Sequence, residues 1–286
     1  MTPEFPPAPL PELLLEPLVR AALLEDLGAG GDVTTRLVIP PGATCRARLR
    51  AREAGVLSGM QVAALAFRLV DPALKLRTLA PDGAVVAAGE TAMEIEGPAA
   101  SVLSAERVAL NFAGRLAGVA TTTAAYAAET RGTRARITCT RKTTPGLRLV
   151  EKQAVLHGGG FNHRFSLSDA VLIKDNHVAA AGGVRAALRA AKAGASHMLR
   201  IEIEVDTLDQ LAEALDEGGA DVALLDNMDA AAMRQAVAMT AGRLTLEASG
   251  SMRLERVAET AATGVDYISV GALTHSASTL DLGLDF

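Results

Sequence analysis

The first 130 residues mix helical and strand-like hydrophobic patterns. Leucine and alanine recur at helical spacing in three stretches, which predict helices: Pro11–Leu27, Ala63–Val70 and Ser101–Arg131. The third stretch predicts either one helix or two. Shorter β-like runs, broken by turn residues, lie between the helices: Cys45–Ala51, Leu74–Leu79 and Ala84–Ile95. This mixture predicts a small α+β domain at the N-terminal end.

From residue 135 onward, short apolar runs alternate with amphipathic stretches. The apolar runs predict six strands: Ala135–Cys139, Ala170–Ile173, Leu199–Val205, Asp221–Leu225, Leu244–Leu246 and Tyr267–Val270. The stretches between most of them predict helices: Gly183–Ala193, Leu208–Glu217, Ala230–Ala241 and Leu254–Thr263. Such alternation is typical of βα units around a parallel sheet.

Polar residues or glycine stand at the exits of the last four predicted strands at a nearly constant interval. Glu204, Asp226, Ser249 and Gly271 are separated by 22, 23 and 22 residues. Polar chemistry at the C-terminal ends of parallel strands is the arrangement at the mouth of a β/α barrel. Residues 135–275 are too few for eight full units, so we expect an incomplete or compact barrel, with an open doubly wound sheet as the structural alternative.

Composition narrows the class of protein. With 286 residues, 49% of them apolar, the chain can form a globular protein of about two domains. Its longest charge-free runs, of about 14 residues, are shorter than a membrane helix requires. A net charge of −5 and an aromatic content of 3% argue against nucleic-acid binding. Two cysteines suit a reducing cytoplasm, and residues 1–11, with five prolines, predict a frayed tail without a targeting signal.

One segment is strongly basic despite the acidic chain. Residues 131–164 contain eight arginines or lysines and one acid, Glu151. A solvated basic face is the simpler interpretation, but Arg141 and Lys142 directly follow a predicted strand, where a barrel places its ligands. Arginine binds carboxylates and phosphates through two parallel contacts, and lysine acts as a compact point charge. The segment therefore predicts a small substrate with several negative charges.

Carboxylates and a lysine also stand near strand ends. Strand alternation places Glu202, Glu204 and Asp206 on one face, and Asp226 follows one βα unit later, which favours a pair of carboxylates that binds ribose or Mg²⁺ over a solvated edge strand. Lys174 ends another strand, where it could bind phosphate or act as a Schiff-base nucleophile.

Two loops rich in small residues follow the last two strands. They are Ala248–Ser251 and Gly271–Ser276. Small residues with accessible N–H groups before a helix can bind phosphate, and β/α barrels commonly place a phosphate site after their last two strands. The two loops together predict a phosphate-binding site.

Several motifs, in order along the chain, resemble those of the quinolinate phosphoribosyltransferases. The match extends from about residue 15 to the C-terminus and is most specific in the predicted barrel. The motifs that carry it are Glu25-Asp26, Gly31–Thr35, Glu106–Asn111, Thr140–Gly146, Gly158–Arg164, Leu172–His177, Glu202–Asp206, Leu224–Asn227, Glu247–Gly250 and Val270–Ser276. Cys139, Ser166 and Ser251 depart from the family pattern, and Ser251 could alter the phosphate loop.

The resemblance implies an α/β fold and a division into domains. The chain would consist of an N-terminal α+β sandwich (residues 1–115) and an incomplete β/α barrel of six or seven strands (116–275). The C-terminal segment, residues 276–286, is expected to pack back on the N-terminal domain. A cytoplasmic homodimer, or a hexamer, that binds neither nucleic acid nor membranes is expected.

The implied reaction converts quinolinate and phosphoribosyl pyrophosphate into nicotinate mononucleotide, pyrophosphate and CO₂, with Mg²⁺ as cofactor. Arg141, His163 and Arg164 would hold the quinolinate carboxylates, with Arg107 contributed by a neighbouring subunit. The remaining residues would bind phosphoribosyl pyrophosphate. Lys142 and Lys174 would face its pyrophosphate and phosphoribosyl groups, and Glu204 and Asp226 would bind ribose hydroxyls or Mg²⁺. Ser249, Gly250 and Gly271 would hold the 5′-phosphate. Lys142, Lys174, Glu204 and Asp226 are the expected catalytic residues.

Two other functions remain open at this point. An aldolase-like barrel would use Lys174 as a covalent nucleophile. A paralogue of the same fold could bind anions without this reaction, or transfer phosphoribose to another pyridine carboxylate.

Overall fold

The computed structural model of the chain describes residues 7–286, which fall into two compact units. The first comprises residues up to 124 together with 144–159 and 276–286, and the second comprises 125–143 and 160–275. Residues 1–6 of the predicted frayed tail lie outside the described residues. The segment 144–159 belongs to the first unit, whereas the sequence assigns it to the barrel domain.

The first unit is built from helices and antiparallel strands. Its helices are α1 (Glu12–Leu27), α2 (Val33–Val38), α3 (Met60–Val70), most of α4 (Ala99–Ala128) and α5 (Arg148–His157). Its strands are β1 (Thr44–Ala51), β2 (Gly55–Val56), β3 (Lys75–Thr78), β4 (Val85–Val86), β5 (Thr91–Pro98) and β12 (Leu282–Asp285). The stretch predicted to form one or two helices after residue 100 is the single 30-residue helix α4.

The main sheet of this unit has the order β12-β1-β5-β3. Alternation along β1 buries Ala47, Leu49 and Ala51 and exposes Arg46 and Arg48, so one face packs in the core and the other is charged. Cross-strand pairs of opposite charge cover the exposed face, as at Arg46 and Glu96, 3.0 Å apart.

One local feature of this unit differs from the prediction. The run predicted as one strand over Ala84–Ile95 is split into β4 and β5, because the turn at Gly89 has φ of 85°, a conformation that suits glycine. The last strand, β12, pairs antiparallel with β1, with Leu284 opposite Leu49.

The second unit is a parallel α/β assembly. Its strands are β6 (Arg136–Thr138), β7 (Val171–Ile173), β8 (Ile201–Val205), β9 (Val222–Asp226), β10 (Thr245–Ser249) and β11 (Tyr267–Ser269). Its helices are α6 (Asp175–Ala181), α7 (Val184–Gly194), α8 (Leu208–Glu217), α9 (Ala230–Thr240), α10 (Leu254–Ala261) and α11 (Ala272–His275). Helix α6 and the short α11 have too few turns to produce a periodic signal in the sequence.

The six strands form one sheet in the order β6-β11-β10-β9-β8-β7. All five neighbouring pairs are parallel. Strands β6 and β7 are its two ends, so the sheet is an incomplete β/α barrel, and the predicted fold class is confirmed. Parallel pairing places the C-terminal ends of all six strands on one side, which brings the loops that follow them together. No helix in the described part of the chain is long and apolar enough to cross a membrane.

Candidate active site

A cavity of about 830 Å³ lies at the C-terminal ends of the parallel strands in the second unit. Ten of the eleven predicted site residues line it: Arg141, Lys142, His163, Arg164, Lys174, Glu204, Asp226, Ser249, Gly250 and Gly271. Most of them lie at or just after the C-terminal ends of different strands, so the parallel topology brings together side chains that are far apart in the sequence. Arg107 does not line this cavity; it is exposed on α4, in the first unit.

A lysine and two carboxylates form one part of the cavity wall. Lys174 Nζ lies 2.5 Å from Glu204 Oε2. Burial, followed by the neighbouring carboxylates of Glu204 and Asp206, raises the pKa of Asp226, although Lys174 and Ser249 partly oppose this. The predicted pair of acids at the exits of β8 and β9 therefore interacts electrostatically within one cavity.

A second polar group is more deeply buried. His163 Nε2 lies 3.0 Å from Glu202 Oε2 and 3.7 Å from Glu247 Oε1, and both glutamates are about 95% buried. On the other side of the imidazole ring, Nδ1 accepts a hydrogen bond from the Arg164 backbone N–H. One carboxylate oxygen of each glutamate, Oε1, has no hydrogen-bond partner.

The environment of this group perturbs its protonation. Burial, then the Glu202 carboxylate, raises the pKa of Glu247 from 4.5 to about 7, and His163 works against the shift. Among the described residues, His163, Glu202 and Glu247 are also the one group of three whose ligand atoms, all within 4.8 Å of one another, could hold a metal ion. The sequence placed Glu202 on the same strand face as Glu204 but assigned neither Glu202 nor Glu247 a role in the site. The signal for Glu247 is a carboxylate between two buried apolar residues of the same strand, Leu246 and Ala248.

The arginines of the basic segment occupy a partly buried environment. Arg164 Nη1 donates a hydrogen bond to the Ala170 carbonyl at 2.9 Å. Burial and the neighbouring Arg141 guanidinium lower the pKa of Arg164, so the two guanidinium groups are close enough to repel each other. Two arginines held together against this repulsion favour the binding of an anion between them.

The loop after β10 has a tightly constrained backbone. Gly250 has φ of 100°, and a Cβ atom there would overlap the side-chain amide of Asn227. Asn227 and Ser251 also adopt positive φ, of 53° and 39°, although neither is glycine. Asn227 Nδ2 donates a hydrogen bond to Asp226 Oδ2 at 2.7 Å, which links the carboxylate at the exit of β9 to this loop. Backbone strain of this kind is concentrated at functional sites.

The loop after β11 lies beside Lys142. A Cβ atom on Gly271 would lie 3.0 Å from Lys142 Cδ and 3.2 Å from the His275 ring. Thr274 Oγ1 donates a hydrogen bond to the Lys142 carbonyl at 2.7 Å, which joins this loop to the one after β6. The cavity also contains residues that sequence reasoning did not assign to it, among them Asn227, Ser251, Met252, Arg253 and His275.

Comparison with protein-family models matches nearly the whole chain. The model for the C-terminal domain of quinolinate phosphoribosyl transferase matches residues 119–285, and the model for its N-terminal domain matches residues 32–117. The chain belongs to the quinolinate phosphoribosyltransferase family.

Curated relatives of this family align over almost their full length. The chain is 41% identical to the probable carboxylating nicotinate-nucleotide pyrophosphorylase of Bacillus subtilis, over 96% of this chain and 93% of the relative. It is 45% identical to the carboxylating nicotinate-nucleotide pyrophosphorylase of Mycobacterium leprae, over 93% of this chain and 95% of the relative. Among solved structures, NadC from Streptococcus pyogenes matches with a TM-score of 0.95 and 39% identity over 98% of both chains.

Proposed function

We propose that the chain transfers the phosphoribosyl group of phosphoribosyl pyrophosphate to quinolinate with loss of CO₂, giving nicotinate mononucleotide and pyrophosphate. The observation that carries this proposal is the cavity. It contains paired arginines, paired carboxylates and two loops of small residues, in a chain 41% and 45% identical to carboxylating nicotinate-nucleotide pyrophosphorylases. This composition matches a dicarboxylate substrate together with a ribose phosphate substrate.

The arginines bind quinolinate. Arg141 and Arg164 pair with its two carboxylates, and the mutual repulsion of the guanidinium groups is relieved when the dianion enters. His163 completes this subsite. Its orientation is supported by the contact with Glu202 and by the hydrogen bond from the Arg164 backbone. These contacts hold the pyridine nitrogen in position for attack on the ribose.

The opposite set of residues binds phosphoribosyl pyrophosphate. Lys142 and Lys174 face its phosphate groups, and Glu204 and Asp226 accept hydrogen bonds from ribose hydroxyls. Ser249, Gly250 and Gly271 bind the 5′-phosphate through a hydroxyl and backbone N–H groups. The protein's contribution is positioning and electrostatics, because charge develops on the ribose as the bond to pyrophosphate breaks. Once the pyridine nitrogen is ribosylated, the pyridinium ring can stabilise the carbanion that remains when CO₂ leaves.

Mg²⁺ belongs to the proposal because the donor set fits it. Glu204 and Asp226 offer carboxylate oxygens, the ligands that Mg²⁺ prefers. The Glu204 carboxylate raises the pKa of Asp226, and a bound cation would offset this repulsion between the two carboxylates. When bound, Mg²⁺ would neutralise charge on the pyrophosphate group.

Lys174 acts in this proposal as a cation and not as a Schiff-base nucleophile. Its Nζ is held in a 2.5 Å ion pair with the Glu204 carboxylate, the arrangement of a binding cation. Borohydride added with both substrates should trap no adduct on Lys174. A stable adduct at this residue would favour the aldolase-like alternative.

We also propose a cytoplasmic homodimer in which Arg107 reaches the partner's site. Arg107 is exposed on α4 and is available to another molecule, and the two cysteines, Cys45 and Cys139, are free thiols, which suit a reducing compartment. Arg107→Ala and Lys174→Ala chains, each inactive alone, should complement when dissociated and reassembled together. About half the dimers would be mixed, each with one intact site, so roughly a quarter of wild-type activity should return. Verified mixed dimers without activity would contradict the role given to Arg107.

The direct test of the reaction uses quinolinate labelled in its 2-carboxyl group. Labelled CO₂ should appear only when phosphoribosyl pyrophosphate is present, and nicotinate mononucleotide should form in equal amount. Binding of both substrates without CO₂ release would instead favour an anion-binding paralogue. Turnover of a different pyridine carboxylate in place of quinolinate would favour a related transferase.

A further inference from the structure

Arg253 places a cation at the loop after β10. It directly follows the segment Ser249–Met252, precedes the first residue of α10 and lines the cavity. Its backbone is extended, with φ of −105° and ψ of 158°. No described side chain or carbonyl forms a hydrogen bond or ion pair with its guanidinium group.

Two other cations of the cavity are already engaged within the protein. Lys174 pairs with Glu204, and Arg164 donates to the Ala170 carbonyl. Arg253 differs because its charge is not compensated by a described carboxylate. An uncompensated guanidinium group that faces a cavity is available to an anionic ligand.

The adjoining backbone suits a small tetrahedral anion. A side chain at position 250 would overlap Asn227, so only glycine fits there. Ser251 adopts a left-handed backbone conformation, with positive φ. The loop therefore provides backbone N–H groups directly before Arg253, which lines the same cavity. Successive N–H groups in such turns form concave sites for anions, and arginine adds two parallel hydrogen bonds to a phosphate.

Arg253 follows a different strand from the two arginines assigned to quinolinate. It follows β10, an inner strand of the sheet, whereas Arg141 follows β6, an edge strand, and Arg164 precedes β7, the other edge strand. Arg253 therefore enters the cavity from the loop after β10, a different segment from those that carry Arg141 and Arg164.

We propose that Arg253 is a further substrate-binding residue whose guanidinium group binds a sugar phosphate monoester at the loop after β10. Under the proposed function, on which this identification rests, that group is the 5′-phosphate of phosphoribosyl pyrophosphate. Arg253 thus adds a side-chain cation to a subsite otherwise composed of backbone N–H groups and a serine hydroxyl.

Calorimetry with two separate anions, ribose 5-phosphate and pyrophosphate, tests the assignment on the full chain. Arg253→Ala should weaken ribose 5-phosphate binding about tenfold, the size expected for loss of a charge-assisted contact, with little change for pyrophosphate. Arg253→Lys should recover part of the loss, since it restores the charge without the planar fork.

Arg256 provides a matched control. It is an exposed arginine three residues further along α10 and does not line the cavity. Arg256→Ala removes the same charge, so it should leave the binding of both anions unchanged. In steady-state kinetics, Arg253→Ala should raise KM for phosphoribosyl pyrophosphate while KM for quinolinate stays constant.

Three results would overturn the proposal: wild-type affinity of Arg253→Ala for ribose 5-phosphate, an equal loss for pyrophosphate, or no binding of ribose 5-phosphate to the wild-type chain. Binding of ribose 5-phosphate requires no turnover. A chain that binds it through Arg253 but releases no CO₂ from quinolinate would therefore contradict the proposed reaction and leave the phosphate site in place.

Discussion

Each unit of the molecule buries carboxylates, but the two units treat them differently. Glu151 in the first unit is fully buried, and both its oxygens are satisfied. Its Oε1 accepts hydrogen bonds from Arg115 and from the Thr144 hydroxyl, and its Oε2 accepts one from the Thr144 N–H. Glu202 and Glu247 in the second unit are almost as buried, yet each keeps one oxygen without a hydrogen-bond partner.

This contrast distinguishes a structural carboxylate from one in a site. A buried charge is tolerated when an opposite charge and hydrogen bonds compensate its lost hydration, as they do for Glu151. The cavity leaves this compensation incomplete, and the consequence is a Glu247 pKa near 7. A perturbed, incompletely satisfied carboxylate in a cavity, such as Glu247, is typical of functional sites.

Backbone strain follows the same division. All three non-glycine residues with positive φ in the described chain, Asn227, Ala241 and Ser251, lie in the second unit. Two of these, Asn227 and Ser251, line the cavity. In the first unit, in contrast, every described residue with positive φ is a glycine.

The largest effect is expected from Glu151→Gln. It removes the charge that compensates Arg115, and breaking a buried pair of this kind lowers the free energy of unfolding by about 3 kcal/mol. Urea unfolding monitored by circular dichroism measures the change. Glu96→Gln is the matched control, because it breaks the exposed pair with Arg46 and should cost less than about 1 kcal/mol. Equal losses for the two variants would show that burial does not distinguish them.

Glu247→Gln should change how stability depends on pH. Because the folded-state pKa is raised from 4.5 to about 7, the folded chain binds this proton more tightly than the unfolded chain. The resulting stabilisation is present below the unfolded pKa and is lost as pH rises through 7. The glutamine variant lacks this loss, so between about pH 5 and pH 8 it should gain about 1–3 kcal/mol relative to wild type. Parallel stability curves from denaturant titrations over this range would contradict the assignment.

Thr144→Ala tests the hydrogen bonding of Glu151 without changing charge. Loss of the hydroxyl donor should lower the free energy of unfolding by about 1 kcal/mol, measured by the same denaturant titration. Thr144→Ser keeps the hydroxyl and should retain most of the stability. A serine variant as unstable as the alanine variant would attribute the effect to the threonine methyl group.

The smallest effect is expected from Ser251→Gly, and it has the opposite sign. Glycine adopts positive φ without a steric penalty, but it also increases the entropy of the unfolded chain, so the net gain should be about 0.5 kcal/mol. Thermal unfolding measures it. Ser251→Ala also removes the hydroxyl but keeps the strain, so it should show no gain. A gain in the alanine variant would mean that the hydroxyl, and not the backbone, is unfavourable.

Local patterns were sufficient to predict most of the elements. The hydrophobic period depends only on residues within one helix or strand, so α1, β1, α8 and the six parallel strands could be predicted from sequence. The interval between Glu204, Asp226, Ser249 and Gly271 likewise indicated one shared edge of a sheet, and all four line the cavity. Their individual roles stay predictions until substrates are bound.

Contacts between distant segments were decided only by the tertiary structure. The sequence places Glu202 and Glu247 45 residues apart on separate strands, and nothing local indicates that both contact His163. The pairing of β12 with β1 and the exposure of Arg253 to the cavity depend in the same way on chain packing. The physical reason is that periodicity encodes which face of an element is buried, whereas burial against a particular partner, and the pKa that results, depends on the whole fold.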